Sequence, residues 1–405
     1  MRARTMRACL CAATSVFVLN TGHALADDNK YKFDFYGFAQ LDGIYDGDRV
    51  DPNWEDTLRP SKIPTSNDPG IFGSDGQTLA SVKQSRFGVS GDLPTNTNVG
   101  DVKFKFEFDL FGVGADAGQT TIRFRHIYGE WGPVLAGQTN SVFMDIDVFP
   151  NVVDYWGPDG MVFLRNPQFR VTPYRTDNSH FAIALEKPSN DIDVGTIREL
   201  DPELGANLQN DEKWPDLTAH YYYSDTWGHF QIAGIVRDVA YDSAGTPNNE
   251  PKGSQIGWGV NVTGHLAVLE KDKIIGGVVY GHGIASYMND GGVDLAPAGT
   301  SLSDIHAEAV PLLGVVAYYD HYWSKEWSTS LGYSSTRVDN TSLQEPTAYH
   351  NGQYASINLL YTPASNILFG CEGLWGKRTD NNGATGDDAR VQFTVKYSFG
   401  ASIAI

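Results

Sequence analysis

Residues 102–110 read Val102-Lys103-Phe104-Lys105-Phe106-Glu107-Phe108-Asp109-Leu110. Every even position is apolar and every odd position is charged. A helix, turning about 100° per residue, would smear those charges around its circumference. A strand places the apolar side chains on one face and the charges on the other. The same period of two runs through residues 31–45. There Tyr31, Phe33, Phe35, Gly37, Ala39, Leu41, Gly43 and Tyr45 share one parity, opposed by Lys32, Asp34, Tyr36, Gln40 and Asp42. A soluble β-sandwich also alternates in this way, so the number of strands and the lengths between them must decide.

Continuing outward, strands are expected at 31–45, 79–92, 101–111, 119–130, 133–142, 165–174, 179–187, 216–223, 229–241, 255–268, 274–288, 307–322, 327–338, 353–362, 366–377 and 389–399, sixteen in all. Connections after even-numbered strands are tight, as at Trp131-Gly132 and Arg175–Asn178. Those after odd-numbered strands are long: 46–78, 112–118, 143–164, 188–215, 242–254, 289–306, 339–352 and 378–388. A sandwich has no reason to sort its loops by parity, whereas a transmembrane barrel has short periplasmic turns and long extracellular loops. Hydrocarbon also requires every backbone group to be paired, which for strands means a closed sheet. The expectation is an all-β fold: a 16-stranded antiparallel transmembrane β-barrel over 27–405, both ends on the periplasmic side. Tyr221–Tyr223 with Trp227, and Tyr319, Tyr322, Trp323 and Trp327, cluster at two tight turns, as interfacial girdle residues would. Residues 400–405 follow Phe399 either as a tail or as a continuation of the last strand.

The chain starts as an exported one does. Arg2, Arg4 and Arg7 lead into an apolar stretch from Ala8 to Leu19, and Ala24-Leu25-Ala26 offers a small-x-small cleavage site, so residues 1–26 read as a secretory signal peptide. Cleavage removes three arginines and no acid, taking the formal charge from −19 to −22. It also removes Cys9 and Cys11, leaving Cys371 and no internal disulfide. Such acidity disfavours a nucleic-acid partner. The sequence has no phosphate-binding loop, no HExxH and no Cys/His ligand spacing; the ten histidines are dispersed. No enzyme and no cofactor is expected. The acidic stretch from Asn289 to Asp294 reads as solvated or calcium-binding, the solvated state being the default.

The loop after the fifth strand is unusual. It carries Phe143, Met144, Ile146, Phe149, Tyr155 and Trp156 beside Asp145, Asp147, Asp154 and Asp159. Apolar and acidic together, it is expected to fold into the lumen as a constriction loop. Strand parity turns Arg86, Lys103, Lys105, Arg123, Arg125 and Arg170 inward, with Arg165 at the end of the loop. Neighbouring strands lie about 4.8 Å apart, so Arg86, Lys103, Lys105, Arg123 and Arg125 form one basic wall. The loop acids are expected to face that wall or neutralise part of it. Such a field in a narrow lumen favours small anions, and arginine offers a fork for carboxylates. The same arginines could instead serve as structural partners of Glu107, Asp109 and the loop acids.

One further grouping is specific. Tyr36-Gly37-Phe38 with Leu41-Asp42, Gln84-Ser85-Arg86-Phe87-Gly88, Ile122-Arg123-Phe124-Arg125-His126 and Tyr128-Gly129-Glu130-Trp131-Gly132 precede Gly137-Gln138-Thr139, Ser141, Phe143-Met144-Asp145, Pro150, Asp154, Gly157-Pro158, Gly160, Arg165, Pro167 and Arg170. With the barrel and its loop, this constellation resembles the DcaP-like family of outer-membrane porins of Gram-negative bacteria, associated with dicarboxylic acids. The resemblance implies a homotrimer in outer-membrane lipid and lipopolysaccharide, passing succinate-like or aromatic dicarboxylates. It matches Arg86, Arg123, Arg125, Arg165 and Arg170 to basic lumen residues. The coiled-coil extension of some members has no counterpart in residues 27–30. For the trimer, the outer faces of strands one to four are the expected interface and loop 46–78 a latch over a neighbour. Two function classes follow: a diffusion channel preferring anions, or a sealed receptor or adhesin barrel acting through its loops.

Overall fold

The computed structural model describes residues 30–112, 121–300 and 304–405. The signal peptide expected over residues 1–26 lies outside them. Among the described residues, sixteen long antiparallel strands close into a barrel: β1 (Lys32–Asp46), β2 (Gln77–Ser81 and Arg86–Leu93), β3 (Val102–Asp109), β4 (Arg123–Trp131), β5 (Val134–Asn140), β6 (Arg165–Arg175), β7 (Ser179–Glu186), β8 (Leu208–Asp211 and Asp216–Asp225), β9 (Gly228–Ser243), β10 (Gly253–Val268), β11 (Asp272–His282), β12 (Pro311–Tyr322), β13 (Trp327–Val338), β14 (Tyr349–Ala364), β15 (Ile367–Asp380) and β16 (Thr385–Ala404). Two of them, β2 and β8, are interrupted, and both segments of each pair with the same neighbour. Closure is made by β1 against β16, in register from Lys32↔Ala404 to Asp46↔Arg390. Residues 400–404 are therefore strand, and the last strand simply runs longer than its aromatic pattern.

The long and short connections sort onto opposite rims, with one exception. The connection expected over 378–388 shrinks to residues 381–384, because β15 and β16 stay paired as far as Thr379↔Thr385. Outward positions are apolar and exposed, among them Leu41, Phe124, Phe169, Val262, Leu331 and Phe393. Cys371 is exposed on the outer face of β15. At the short-turn rim Trp323 is exposed and Trp327 stacks on Tyr361 at 4.4 Å.

The apolar core lies inside the barrel. One cluster joins Phe143, Met144 and Val162 of the loop after β5 to Ile235 of β9, Val279 of β11, Leu312 of β12 and Tyr287 and Met288. A second joins Val50, Leu58 and Ile63 to Val148, Met161, Ile275, Val316 and Tyr354. Three segments thus fold inward, within 47–76, 141–164 and 283–300, where one was expected. The first packs into its own lumen with Val50, Leu58 and Ile63, so this part of it is not a latch over a neighbour. In the third, Asp290 and Asp294 are buried rather than solvated: Arg59 Nη2 lies 2.8 Å from Asp290 and Arg237 Nη1 lies 3.1 Å from Asp294.

This arrangement explains an irregularity of composition. The inner faces of β2–β4 carry charge, whereas β11 and β12 are apolar on both faces, because loops cover the inner one. Where the chains come closest, glycine is required: a Cβ on Gly160 would sit 2.4 Å from the Ser335 carbonyl, and one on Gly314 would sit 2.4 Å from the Gly160 carbonyl. Val262 faces outward near the middle of β10. Val262→Arg is expected to lower unfolding stability in lipid by about 2–4 kcal/mol, as for cations near the bilayer midplane. Denaturant titration in vesicles checks this, and an unchanged midpoint would place that face away from hydrocarbon.

Candidate pore constriction

The basic wall is built by register. Arg86 of β2, Asp109 of β3 and Arg123 of β4 lie directly opposite one another, and two residues along, Gly88, Glu107 and His126 form the next rung. Arg125 enters through a β-bulge: Glu107 pairs with His126 and Phe108 with Phe124, so Arg125 is the extra residue. The bulge turns Arg125 and His126 to the same, inner side, and both are buried. His126 Nδ1 meets Thr139 Oγ1 at 3.0 Å. Simple alternation would have sent His126 to the lipid.

Two buried carboxylates organise the cations. Arg123 grips Asp109 through Nε (3.2 Å) and Nη2 (2.8 Å). Arg125 bridges the two acids, with Nε 2.7 Å from Glu107 and Nη1 3.0 Å from Asp109. Lys105 Nζ and Arg86 Nη1 approach Glu107 at 3.3 and 3.6 Å. The Tyr36 hydroxyl donates to Glu107 at 2.9 Å. These pairs show the structural role open to the arginines, yet they leave charge over. Arg86, Lys105, Arg123 and Arg125 share two carboxylates, and with Arg165, which pairs with neither, the cluster holds five cations to two acids, an excess of three.

Arg165 is the unpaired member. It starts β6, within electrostatic reach of Arg125, Arg123 and Arg86, and its guanidinium lies 4.8 Å from the centre of the Phe163 ring. Among the described residues it forms no salt bridge, and its buried Nε has no hydrogen-bond partner. Arg170 also lacks a carboxylate partner; it donates to Gln168 at 2.9 Å and to the Asn140 carbonyl at 2.5 Å. It lies five residues along β6 from Arg165, roughly 16 Å at strand rise, and so is not part of the same cluster. Lys103, opposite Asp92 and Glu130, is exposed at the short-turn end. Sequence reasoning named Glu107 and Asp109, which order the wall, only as alternative partners of the arginines, and it left out Lys396. Lys396 and Arg86 each stand 5.2 Å from the centre of the Phe38 ring. The inward parity of Lys396 on the last strand was the available signal.

The loop acids do not face this wall, contrary to expectation. They and the loop backbone are tied to the other side of the lumen. Asp145 meets His229 at 2.8 Å and Thr263 at 2.7 Å, and Tyr222 donates to Asp147 at 2.9 Å. Asp154 accepts from Tyr354 at 3.1 Å, and Asp159 from Ser334. Side chains of the wall hold the loop's main chain as well: Asn261 donates to the Phe143 carbonyl (2.9 Å), and Glu372 accepts from Val153 (2.8 Å) and Asp154 (2.7 Å). The near side is reached by the Val153 carbonyl, which accepts from Gln84 at 3.0 Å, and by Tyr155. The Tyr155 hydroxyl accepts from Arg125 and donates to Asp109, both at 2.9 Å, and its ring stacks on Phe111 at 3.9 Å. Trp156 donates to the Asn289 carbonyl at 2.8 Å, and it and Trp54 flank Arg59, whose guanidinium is 4.3 and 4.2 Å from their ring centres.

The residues from β2 to β6 that build the wall also carry a family pattern. The DcaP outer membrane protein family matches residues 14–399. This chain belongs to that family. It is an outer-membrane β-barrel of porin architecture. The outer membrane channel DcaP of Acinetobacter baumannii superimposes with a TM-score of 0.76 at 24% identity, covering 91% of this chain and 97% of that one. An anion-selective porin from Comamonas acidovorans gives 0.58 at 8% identity, covering 91% and 100%. The trimer form of OmpT of Vibrio cholerae gives 0.51 at 11%, covering 91% and 99%. The likenesses of this DcaP family member to those three structures are ones of fold. Comparison with curated protein sequences gave no match.

The loop's anchoring has a pH dependence. Burial pushes the Asp154 carboxyl up to about 6. Burial, opposed by the Ser334 hydrogen bond and aided by Asp290, pushes Asp159 up to about 7. Folded Asp159 therefore keeps its proton where the unfolded chain, at the ordinary 3.8, has released it. Its contribution to stability is fully present below the lower value and is lost as pH rises through the upper one. Asp159→Asn should match the native barrel at pH 4 and melt at a higher temperature at pH 8. Thermal unfolding in detergent measures this, and a variant less stable at pH 8 would contradict it.

Proposed function

We propose that this DcaP family member is a diffusion channel for small hydrophilic solutes that favours anions, mono- and dicarboxylates above all. The observation that carries the proposal is the wall where Arg86, Lys105, Arg123 and Arg125 share two carboxylates and Arg165 stands beside them with neither. A carboxylate entering the constriction exchanges water for guanidinium forks in a medium of reduced dielectric, where each charge counts for more. Arg165 has no carboxylate of its own to leave. Arg170 and Lys103 extend positive charge toward the short-turn mouth. The acidity of the chain, at −19 overall, does not oppose this, because Asp154 and Asp159 are buried away from the wall and others are held by Arg237 and Arg390. The protein acts without catalysis, in contact with outer-membrane lipid and lipopolysaccharide, as a homotrimer. The name of the Comamonas porin and the trimer form of OmpT support those parts of the proposal.

The second reading is a sealed barrel working through its loops. It draws on the two apolar clusters that fill the lumen beside β9–β15. The reversal potential of the refolded protein in a planar bilayer under a KCl gradient separates the two. The expected result is stepwise conductance with a chloride-selective potential that moves toward zero in Arg165→Ala, with folding unchanged. Arg123→Ala/Arg125→Ala should shift the potential further. It should also destabilise the barrel by about 3–5 kcal/mol, since buried Asp109 would lose both of its cations and Glu107 its nearest one. Cation preference would remove the anion reading, and folded barrels without conductance would remove the channel itself.

A further inference from the structure

Four of the ten histidines, scattered in sequence, converge on the inner face of β7–β10: His180, His220, His229 and His265. At their short-turn end the constriction loop brings down Asp145 and Asp147. One oxygen of each and a ring nitrogen of His229 lie within 4.8 Å of one another. Asp145 and His229 are almost wholly buried, and Asp147 is half-buried. No lysine or arginine forms a salt bridge with either carboxylate among the described residues, so one imidazole faces two acids in a low-dielectric setting. Buried charge in proteins is paired or coordinates metal.

We propose that Asp145, Asp147 and His229 form a divalent metal site of the zinc class. An imidazole with two carboxylates suits Zn²⁺ and its neighbours, whereas Ca²⁺ and Mg²⁺ take oxygen ligands alone. The supporting contacts are those that orient metal ligands. His229 Nδ1 meets His265 Nδ1 at 2.6 Å, leaving Nε2 for the metal. Thr263 donates to Asp145 Oδ2 at 2.7 Å, the Asp147 amide donates to Asp145 Oδ1 at 3.0 Å, and Tyr222 donates to Asp147 Oδ2 at 2.9 Å. Tyr222 also stacks on His229, with ring centres 5.1 Å apart. Binding displaces the proton that His229 Nε2 and Asp145 Oδ2 share at 2.8 Å. Bond lengths of about 2.0–2.2 Å to zinc require the three ligand atoms to draw together, which side-chain rotation at half-buried Asp147 permits. Half-buried Tyr222, Asp147 and His265 give the metal its approach from the lumen. Since Asp145 and Asp147 belong to the loop and His229 to β9, the metal would pin the constriction loop to the wall. The proposal is independent of which ions the channel passes.

The test uses the purified, refolded full-length barrel, stripped with chelator and dialysed against Zn²⁺, with retained metal measured by mass spectrometry. The native protein is expected to retain about one zinc per chain, as for a site with three protein ligands and water in the fourth position, and to melt at a higher temperature with zinc than without. His229→Gln and Asp147→Asn should both lose the metal and the zinc-dependent rise. His265→Gln should weaken binding about 10–100-fold, as loss of an orienting partner does, and His306→Gln, at an exposed histidine, should change nothing. Heat-modified gel mobility establishes that each variant is folded. No zinc retained by the native barrel, or equal retention by His229→Gln and Asp147→Asn, would overturn the site and leave a hydrogen-bonded Asp–His–His chain.

Discussion

Everything in this protein rests on the seam between β1 and β16. In hydrocarbon an unpaired peptide group costs several kcal/mol, so a sheet can cross a membrane only if its last strand returns to its first. Here the first strand finds the last along its whole length, from Lys32↔Ala404 to Asp46↔Arg390. Once the hoop is closed, side-chain parity has fixed consequences: one set of residues meets lipid and the other meets the lumen. The lumen then divides by what covers the inner wall. Beside β9–β15 three inward segments lay down an apolar filling, and beside β2–β6 the wall remains polar and positively charged.

The polar side is a compromise between order and function. Arg123 and Arg125 are held by Asp109 and Glu107, which fixes the direction of their guanidinium groups but uses part of their charge. Arg165, leaning on Phe163 instead of a carboxylate, keeps its charge whole. Orientation by aromatic rings recurs at Phe38 and at the Trp54–Trp156 pair. At Arg165 and Lys396 a ring steadies the cation where a carboxylate would cancel the field, whereas Arg59 keeps Asp290 as well.

Much of the barrel was legible in the sequence because parity and loop sorting are local properties. Residues 102–110 identify inward and outward sides without knowledge of their neighbours, and the even strand count follows from the turns. Three things were not legible, each for a definite reason. The bulge at Arg125–His126 shows in the sequence only as two polar residues in a row and a switch of apolar parity from Phe124 to Ile127, which a strand end would produce as well. The partners of Asp145, Asp147, Asp154 and Asp159 lie on strands 75 or more residues away, so spacing along the chain could not show that these acids face away from the basic wall. Asp290 and Asp294 looked solvated because their partners, Arg59 and Arg237, are equally remote. The doubly apolar strands β11 and β12 did carry a signal, since an inner face that water never reaches has no need of polar residues.

The crossing made by Tyr155 has a mechanical meaning. A sixteen-stranded sheet is a thin hoop, stiff along its strands and easy to flatten across its diameter. The constriction loop is fastened to β8–β15 by its acids and its main chain, and to β3 and β4 by a single hydroxyl. It is therefore a chord under the arch, fixed at both ends. Flattening the hoop in that direction would strain the Tyr155 bonds to Asp109 and Arg125, so the loop that crosses the lumen also braces the wall it reaches.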